Sequence, residues 1–302
     1  MKKKIHFIIN SRSEKTLTEL PKQLALDPFW QETYDCFLWK SLYKGHALEL
    51  VQKAIQYNTS LVIACGGDGT INEIARYLVD TPIPLGIIPL GSGNGIARHF
   101  KIPLNIKGAL AVIREMHSIV MDAGLANQHF FLSNMGVSFD SEFISAYQNK
   151  QTRGFISYLK ALFSAIKNHK TQTFVLHHAG AKREVSPFLL MISNANQFGY
   201  DFTLTPKALV SDGQFELILF KSKSIWALFK LFLASRFGLK LSVKLLEIIP
   251  ISDLVIETTS REFLIQLDGE TNRISNQELQ IKMHPTGLHV IIPNRTHLGQ
   301  QP

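Results

Sequence analysis

The sequence predicts two architectures in tandem: an N-terminal doubly wound α/β domain, then a C-terminal antiparallel β-sandwich with accessory helices. Three observations predict it. Short apolar runs alternate with helical patterns up to about residue 120. Two glycine-rich stretches, Gly66-Gly-Asp-Gly69 and Gly91-Ser-Gly-Asn-Gly95, each follow such a run. Beyond about residue 122, β-like runs succeed one another with turn residues between them and few helices. Alternation implies a parallel sheet with helices on both faces and ligands at the carboxyl ends of its strands. Strands without intervening helices imply an antiparallel sandwich or barrel. The expected boundaries are 1–122 for the first domain, with 286–302 as an optional addition to it, and 123–285 for the second.

Taken in order, Ile5–Ile9 reads as a strand and Asn10-Ser-Arg-Ser13 as the polar turn at its end. Phe37–Trp39 reads as a second strand, followed by Ser41 to Gly45 and a helical pattern through Leu48, Val51 and Ile55. Leu61–Cys65 is a short apolar run that suits a buried strand. Gly66, Gly67 and Gly69 break it, and Thr70 is expected to cap a helix with Ile71, Ile74, Ala75 and Leu78 on its apolar face. Leu85–Pro89 is a further strand; Ile96–His99 and Ile106–Met116 read as helices.

Strand, glycine turn, helix is how a backbone comes close to phosphate: no Cβ blocks the approach, and helix-start N–H groups point at the anion. Asp68 is oddly placed for such a site, because a carboxylate repels phosphate unless a divalent cation or a hydroxyl proton lies between them. That combination suggests nucleotide with metal. Neither common phosphate loop is present: there is no Gly-x-x-x-x-Gly-Lys-Ser/Thr, and Gly91 to Ile96 lacks the third glycine of the dinucleotide fingerprint. Taken alone, Gly66 to Gly69 is also compatible with a tight turn carrying a solvated Asp.

The β-like runs are Phe130–Leu132, Thr173–His177, Phe188–Ser193, Gln214–Phe220, Leu254–Thr258, Phe263–Leu267, Leu279–Met283 and Leu288–Ile292, with turns at Ala179-Gly-Ala181 and Ser211-Asp-Gly213. Arg153–Lys170 and Ser224–Leu239 read as amphipathic helices. The second mixes Trp226, Phe229 and Phe232 with Lys221, Lys223, Lys230, Arg236 and Lys240, a composition that suits core packing or an anionic bilayer surface equally.

At 302 residues and 45% hydrophobic content, the chain has ample material for packed cores. Two cysteines exclude a disulfide framework and favour a reducing cytosol. The basic start is followed by too short an apolar run for a signal peptide, and no stretch approaches the roughly 18 to 20 apolar residues of a bilayer span. The net charge of +8 fits nucleic acid, anionic membrane or phosphorylated ligands without choosing among them. The basic residues are dispersed and no nucleic-acid motif is present, so nucleic acid is not expected as a partner.

Gly66-Gly-Asp-Gly-Thr-Ile-Asn-Glu73, Pro89-Leu-Gly-Ser-Gly-Asn94, Ala97-Arg98, Phe139-Asp140, Pro206-x-Ala208 with Asp212-Gly213, and Leu267-Asp-Gly-Glu270 occur in that order. In this series the chain resembles the diacylglycerol kinase catalytic domain family, which includes bacterial soluble lipid kinases and sphingosine kinases, from about Lys4 to about Ile292. The resemblance implies a nucleotide-binding α/β domain, a lipid-binding β-sandwich, and ATP-dependent phosphorylation of a lipid hydroxyl such as that of diacylglycerol, a sphingoid base or phosphatidylglycerol.

It further implies nucleotide binding by Asn10, Ser41, Gly66, Gly67, Asp68, Gly69, Thr70, Ile71, Asn72, Gly91, Ser92, Gly93 and Asn94. Glu270 resembles the proton acceptor and Asp68 the active-site carboxylate. Leu209, Asp212 and Gln214 match the spacing of a structural Mg²⁺ site, the first and third through backbone carbonyls. Asp140 is the implied contact to a lipid headgroup, with a surface carboxylate as the plain alternative.

Departures are Ser11 in place of Pro, Gly95 in place of Asp, and a reduced loop at Gly199-Tyr-Asp201; the last two leave the acceptor lipid open. The implied partners are ATP, Mg²⁺, a lipid substrate and the anionic membrane that holds it, with a peripheral cytoplasmic location and a homodimer left open. Competing readings are a kinase with a soluble acceptor such as NAD, and an inactive regulator that binds ATP or lipid.

Overall fold

The computed structural model describes residues 2–11, 13–148, 164–196, 204–205, 208–237, 239, 241–242 and 244–294. In chain order the first elements are β1 (Lys3–Asn10), α1 (Glu14–Leu26), α2 (Pro28–Thr33), β2 (Tyr34–Ser41), α3 (His46–Gln56), β3 (Leu61–Gly66) and α4 (Asp68–Leu78). β4 (Leu85–Pro89), α5 (Gly95–His99), α6 (Ile106–Glu115) and β5 (Ser118–Met121) follow. Then come β6 (Gly124–Ala126), β7 (His129–Phe131), β8 (Asn134–Gly136), α7 (Phe139–Gln148), β9 (Phe174–His178), β10 (Ala181–Val185), β11 (Leu189–Ser193) and β12 (Phe215–Phe220). The series ends with α8 (Ile225–Phe237), β13 (Leu246–Ile251), β14 (Asp253–Thr258), β15 (Phe263–Leu267), β16 (Glu270–Ile274), β17 (Glu278–Met283) and β18 (Leu288–Ile291).

The chain divides into two compact units, one of residues up to Met121 together with those from Thr286, the other Asp122–Pro285. In the first unit a six-stranded sheet runs β2-β1-β3-β4-β18-β5. β2, β1, β3, β4 and β18 are mutually parallel, and β5 lies antiparallel to β18. Every residue of β3 and β4 is buried, as central strands covered on both faces must be. Each fully buried Ile or Leu there contributes about 1.5–3 kcal/mol.

The second unit has two six-stranded sheets, β10-β9-β14-β17-β6-β7 and β13-β12-β11-β8-β15-β16. All their recorded pairings are antiparallel. The core between them holds Phe131, Phe174, Leu190, Ile192, Phe215, Leu217, Ile256, Ile265 and Ile281. A second cluster lies on the other face of the second sheet, where Leu189, Met191, Ile218 and Phe220 meet Phe139 and Phe143 of α7 and Ala227 and Leu231 of α8. The strand period of two explains β11: alternate residues serve opposite cores, so the run reads as continuously apolar.

The first unit is therefore the expected doubly wound domain and the second the expected sandwich. Two details differ from expectation. Thr70 is not a cap, for α4 begins at Asp68 with Gly67 at its cap position. Several short polar strands and the helices α1, α2 and α7 were not among the expected elements. The expected helix Arg153–Lys170 falls largely outside the described residues, as do Pro206, Gly199-Tyr-Asp201 and Lys240. No described helix is long and apolar enough to cross a membrane.

Candidate active site

In the first unit the expected nucleotide residues gather at the carboxyl ends of β1, β2, β3 and β4, four adjacent strands. The two glycine loops touch through main chain. A Cβ on Gly91 would stand 2.6 Å from the Gly67 Cα, and one on Gly67 would stand 3.1 Å from the Gly91 Cα. Only glycine allows that approach, since backbone has no flexible end to yield. The Leu90 N–H donates to the Gly66 carbonyl at 2.9 Å, which fixes the second loop on the first.

Asp68 links the loops. As the first residue of α4 it accepts from the Ile96 N–H of α5 at 3.4 Å, and a Cβ on Gly93 would meet its Oδ2 at 3.1 Å. Asn94, at φ 52°, closes its own loop: its Oδ1 accepts from the Gly91 N–H and its Nδ2 donates to the Gly91 carbonyl, both at 2.8 Å. The Arg98 Nε donates to the Gly93 carbonyl at 3.0 Å. Thr70 is buried, and its Oγ1 accepts from the Asn10 Nδ2 at 3.0 Å. Ser41 is buried at the end of β2, where its carbonyl accepts from the Ser11 N–H at 3.0 Å. Ile71 is buried in α4 and Asn72 half-buried; Gly69 and Ser92 are exposed, and no atom lies within 4 Å of a Cβ built on Gly69.

In the second unit Asp268 and Gly269 form the two-residue turn of the β15–β16 hairpin, with φ of 49° and 83°. Glu270 is exposed at the start of β16. The turn is held by its neighbours. Asp268 accepts from the N–H groups of Leu132, Ser133 and Asn134 at 2.7, 2.7 and 2.9 Å, and its own N–H donates to the Asn134 carbonyl at 2.9 Å. The Gly269 N–H donates to Gln266 Oε1 at 2.9 Å, while Gln266 Nε2 donates to Asn134 Oδ1 at 2.8 Å. Gln266 pairs in register with Gly136, against which Asp140 packs, and its side chain helps hold the Asp140 carboxyl down. Asp140 and the Glu270 turn therefore belong to one polar network.

Asp140 is buried, which overturns the surface alternative. Burial pushes its carboxyl up to about 7, only partly offset by hydrogen bonds from Ser138, Gln266 and Ser141. Its Oδ2 is buried with no partner, and a Cβ on Gly136 would sit 1.4 Å from it. β8 passes under Asp140 because residue 136 has no side chain.

Around the expected metal residues, Leu209, Asp212, Gly213 and Gln214 are exposed. Asp212 Oδ1 accepts from the Gln214 N–H at 3.1 Å, and Asp122 Oδ2 accepts from the Gly213 N–H at 2.9 Å. Burial followed by the Asp212 charge raises Glu216 to about 7, and its Oε2 has no partner. Asp122 is raised chiefly by burial, with the Asp212 charge adding to it. Uncompensated negative charge of this kind fits a divalent cation. Among the described residues no three His, Cys, Asp or Glu side chains converge as ligands, so an ion here would depend on Asp212 with backbone carbonyls.

Sequence reasoning missed Asp268, Gln266 and Asn134. Asp268 stood inside the quoted motif, but its partners lie more than 130 residues earlier.

Comparison with known proteins identifies relatives of both parts of the chain. Residues 4–126 match the diacylglycerol kinase catalytic domain, and residues 137–292 match the YegS C-terminal NAD kinase β-sandwich-like domain. A diacylglycerol kinase of Staphylococcus aureus is 29% identical over 229 residues, covering 74% of this chain and 73% of that protein. A diacylglycerol kinase structure from Bacillus anthracis superposes with a TM-score of 0.73 at 21% identity, covering 97% of this chain and 98% of that one. An NAD kinase from Archaeoglobus fulgidus in complex with ATP gives a TM-score of 0.56 at 12% identity, covering 98% and 97%.

Proposed function

The chain belongs to the family that joins a diacylglycerol kinase catalytic domain to a YegS-type β-sandwich, and we propose that it transfers the γ-phosphoryl group of ATP to a lipid hydroxyl. The acceptor is a lipid such as diacylglycerol, a sphingoid base or phosphatidylglycerol, presented at a membrane surface. The observation that carries the reading is the pair of glycine loops in main-chain contact, bridged by Asp68, at the ends of β3 and β4.

The proposal assigns donor binding to the first unit. The loops Gly66 to Asn72 and Gly91 to Asn94 align the phosphates through main chain, with Asn10 and Ser41 at the neighbouring strand ends. It assigns acceptor activation to the second unit. A primary alcohol is a poor nucleophile, and a positioned carboxylate that takes its proton lowers the barrier by roughly 3 to 5 kcal/mol. Glu270 is that base, held by a turn whose two residues are fixed to Asn134, Gln266 and the 132–134 main chain. Asp68 orients the reacting groups, and Asp140 forms part of the acceptor side through Gln266. Mg²⁺ bound with ATP supplies charge neutralisation, and a structural ion would be held by Leu209, Asp212 and Gln214.

The test is incubation with Mg²⁺ and labelled ATP against vesicles containing diacylglycerol, sphingosine, ceramide or phosphatidylglycerol, with NAD in parallel. Label in a lipid is the expected outcome; label in NAD with unlabelled lipids overturns the acceptor. Glu270→Gln is expected to cut turnover at least ~100-fold while leaving ATP binding intact. Near-normal turnover in that variant removes Glu270 from the role.

A further inference from the structure

α8 carries apolar side chains on all sides, with Lys230 and Arg236 as its only charged residues. Its Ala227, Leu231 and Ala234 are buried, the first two in the cluster on the second sheet. On the solvent side Trp226 is 72% exposed, Phe229 51%, Phe232 53% and Phe237 68%, and Leu239 just beyond the helix is 56% exposed. At 100° per residue, positions 226, 229, 232 and 237 share one broad arc. A helix hydrophobic all round is ordinarily enclosed by protein or lipid, and exposed aromatic patches mark interaction sites. This helix has 13 residues, about 20 Å of length against about 30 Å of bilayer hydrocarbon, so it does not span.

The surrounding charge selects the partner. Residues 217–246 contain six Lys or Arg and no Asp or Glu. Lys223, Lys230 and Lys244 are exposed and have no ion-pair partner among the described residues, whereas Lys221 is paired with Glu247 at 2.7 Å. A second copy docked face to face would oppose like charges. A partner with an apolar interior and an anionic surface matches both properties of the face.

We propose that the solvent face of α8, with Lys223, Lys230 and Lys244 beside it, docks this chain onto an anionic bilayer. The aromatics enter the headgroup–acyl boundary and the lysines meet lipid phosphates. The choice of a lipid partner rests on the kinase reading above, so the readout is binding and does not involve turnover.

Sedimentation with vesicles of phosphatidylcholine, with and without phosphatidylglycerol, measures partitioning. Brominated lipid reports the depth of Trp226, with Trp226→Phe supplying the background from Trp30 and Trp39. The protein is expected to bind the anionic vesicles, with Trp226 emission shifted to the blue and quenched. Trp226→Ser/Phe229→Ser/Phe232→Ser is expected to weaken partitioning at least ~100-fold. Lys223→Gln/Lys230→Gln/Lys244→Gln is expected to weaken it ~30-fold and to erase the preference for phosphatidylglycerol. Both variants should keep the native circular dichroism and turnover on a short-chain acceptor in detergent.

Unchanged partitioning of the aromatic variant overturns the proposal, as does a parent protein that ignores anionic vesicles. Concentration-dependent oligomers that the aromatic variant abolishes would assign the face to a second copy instead. Failure of every lipid acceptor, with vesicle binding retained, would remove the kinase reading and leave the docking face standing.

Discussion

In the first unit the polar site is made by main chain: Gly67 and Gly91 touch at the strand ends, and the Leu90 N–H is bonded to the Gly66 carbonyl. In the second unit it is made by side chains: Gln266, Asn134 and Asp268 hold the 266–270 turn and the 132–134 backbone together, with Asp140 buried against Gly136 beside them. The difference teaches where each is vulnerable. A site made of backbone fails when a side chain intrudes. A site made of buried polar side chains fails when one partner is lost, because the desolvated remainder stays unpaired.

The largest expected effect sharpens the second half of that contrast. Asp140 is raised to about 7 by burial, above its ordinary unfolded value of about 3.9. Between those values the unfolded chain binds fewer protons than the folded one. The stability contributed by this group is therefore fully present at low pH and is lost as pH rises from about 4 through about 7, by up to about 4 kcal/mol. Glu216, raised to about 7 mainly by burial, acts in the same direction. Denaturant melts between pH 5 and 8 should show Asp140→Asn losing most of this slope; an unchanged slope would detach it from Asp140.

Next in size is Asp268→Ala, which leaves the N–H groups of Leu132, Ser133 and Asn134 without their acceptor. A loss of about 3 kcal/mol in unfolding free energy is expected, together with lower turnover at unchanged ATP affinity. Native stability in that variant would break the claim that side chains hold the second site. The smallest effect tests the first site. Gly91→Ala brings a Cβ to 2.6 Å from the Gly67 Cα and should weaken ATP binding about 30-fold, roughly 2 kcal/mol. Gly69→Ala meets nothing within 4 Å and should bind ATP nearly as well as the parent. Equal calorimetric affinities for the two variants would erase the distinction.

The elements that were legible share one property: their burial is written in local periodicity. β3, β4 and α4 have apolar runs or faces that point to one packing solution. The strands that were missed sit mostly at sheet edges. β10 (Ala-Lys-Arg-Glu-Val) and β16 (Glu-Thr-Asn-Arg-Ile) are largely exposed, and β13 carries Pro250 on an edge that tolerates it. Such strands exist because a neighbour offers hydrogen bonds, not because their own side chains demand burial.

The sequence by itself determined the two architectures, the glycine loops and the ordered motifs that signal the family, because each rests on residues close together in the chain. Only the tertiary structure decided that Thr70 serves Asn10 instead of a helix end, that Asp140 is buried over Gly136, and that Asp268 anchors the Glu270 turn. Those outcomes depend on which distant backbone groups arrive unpaired beside a side chain. Strand register sets that, and a one-residue slip in register would change every partner.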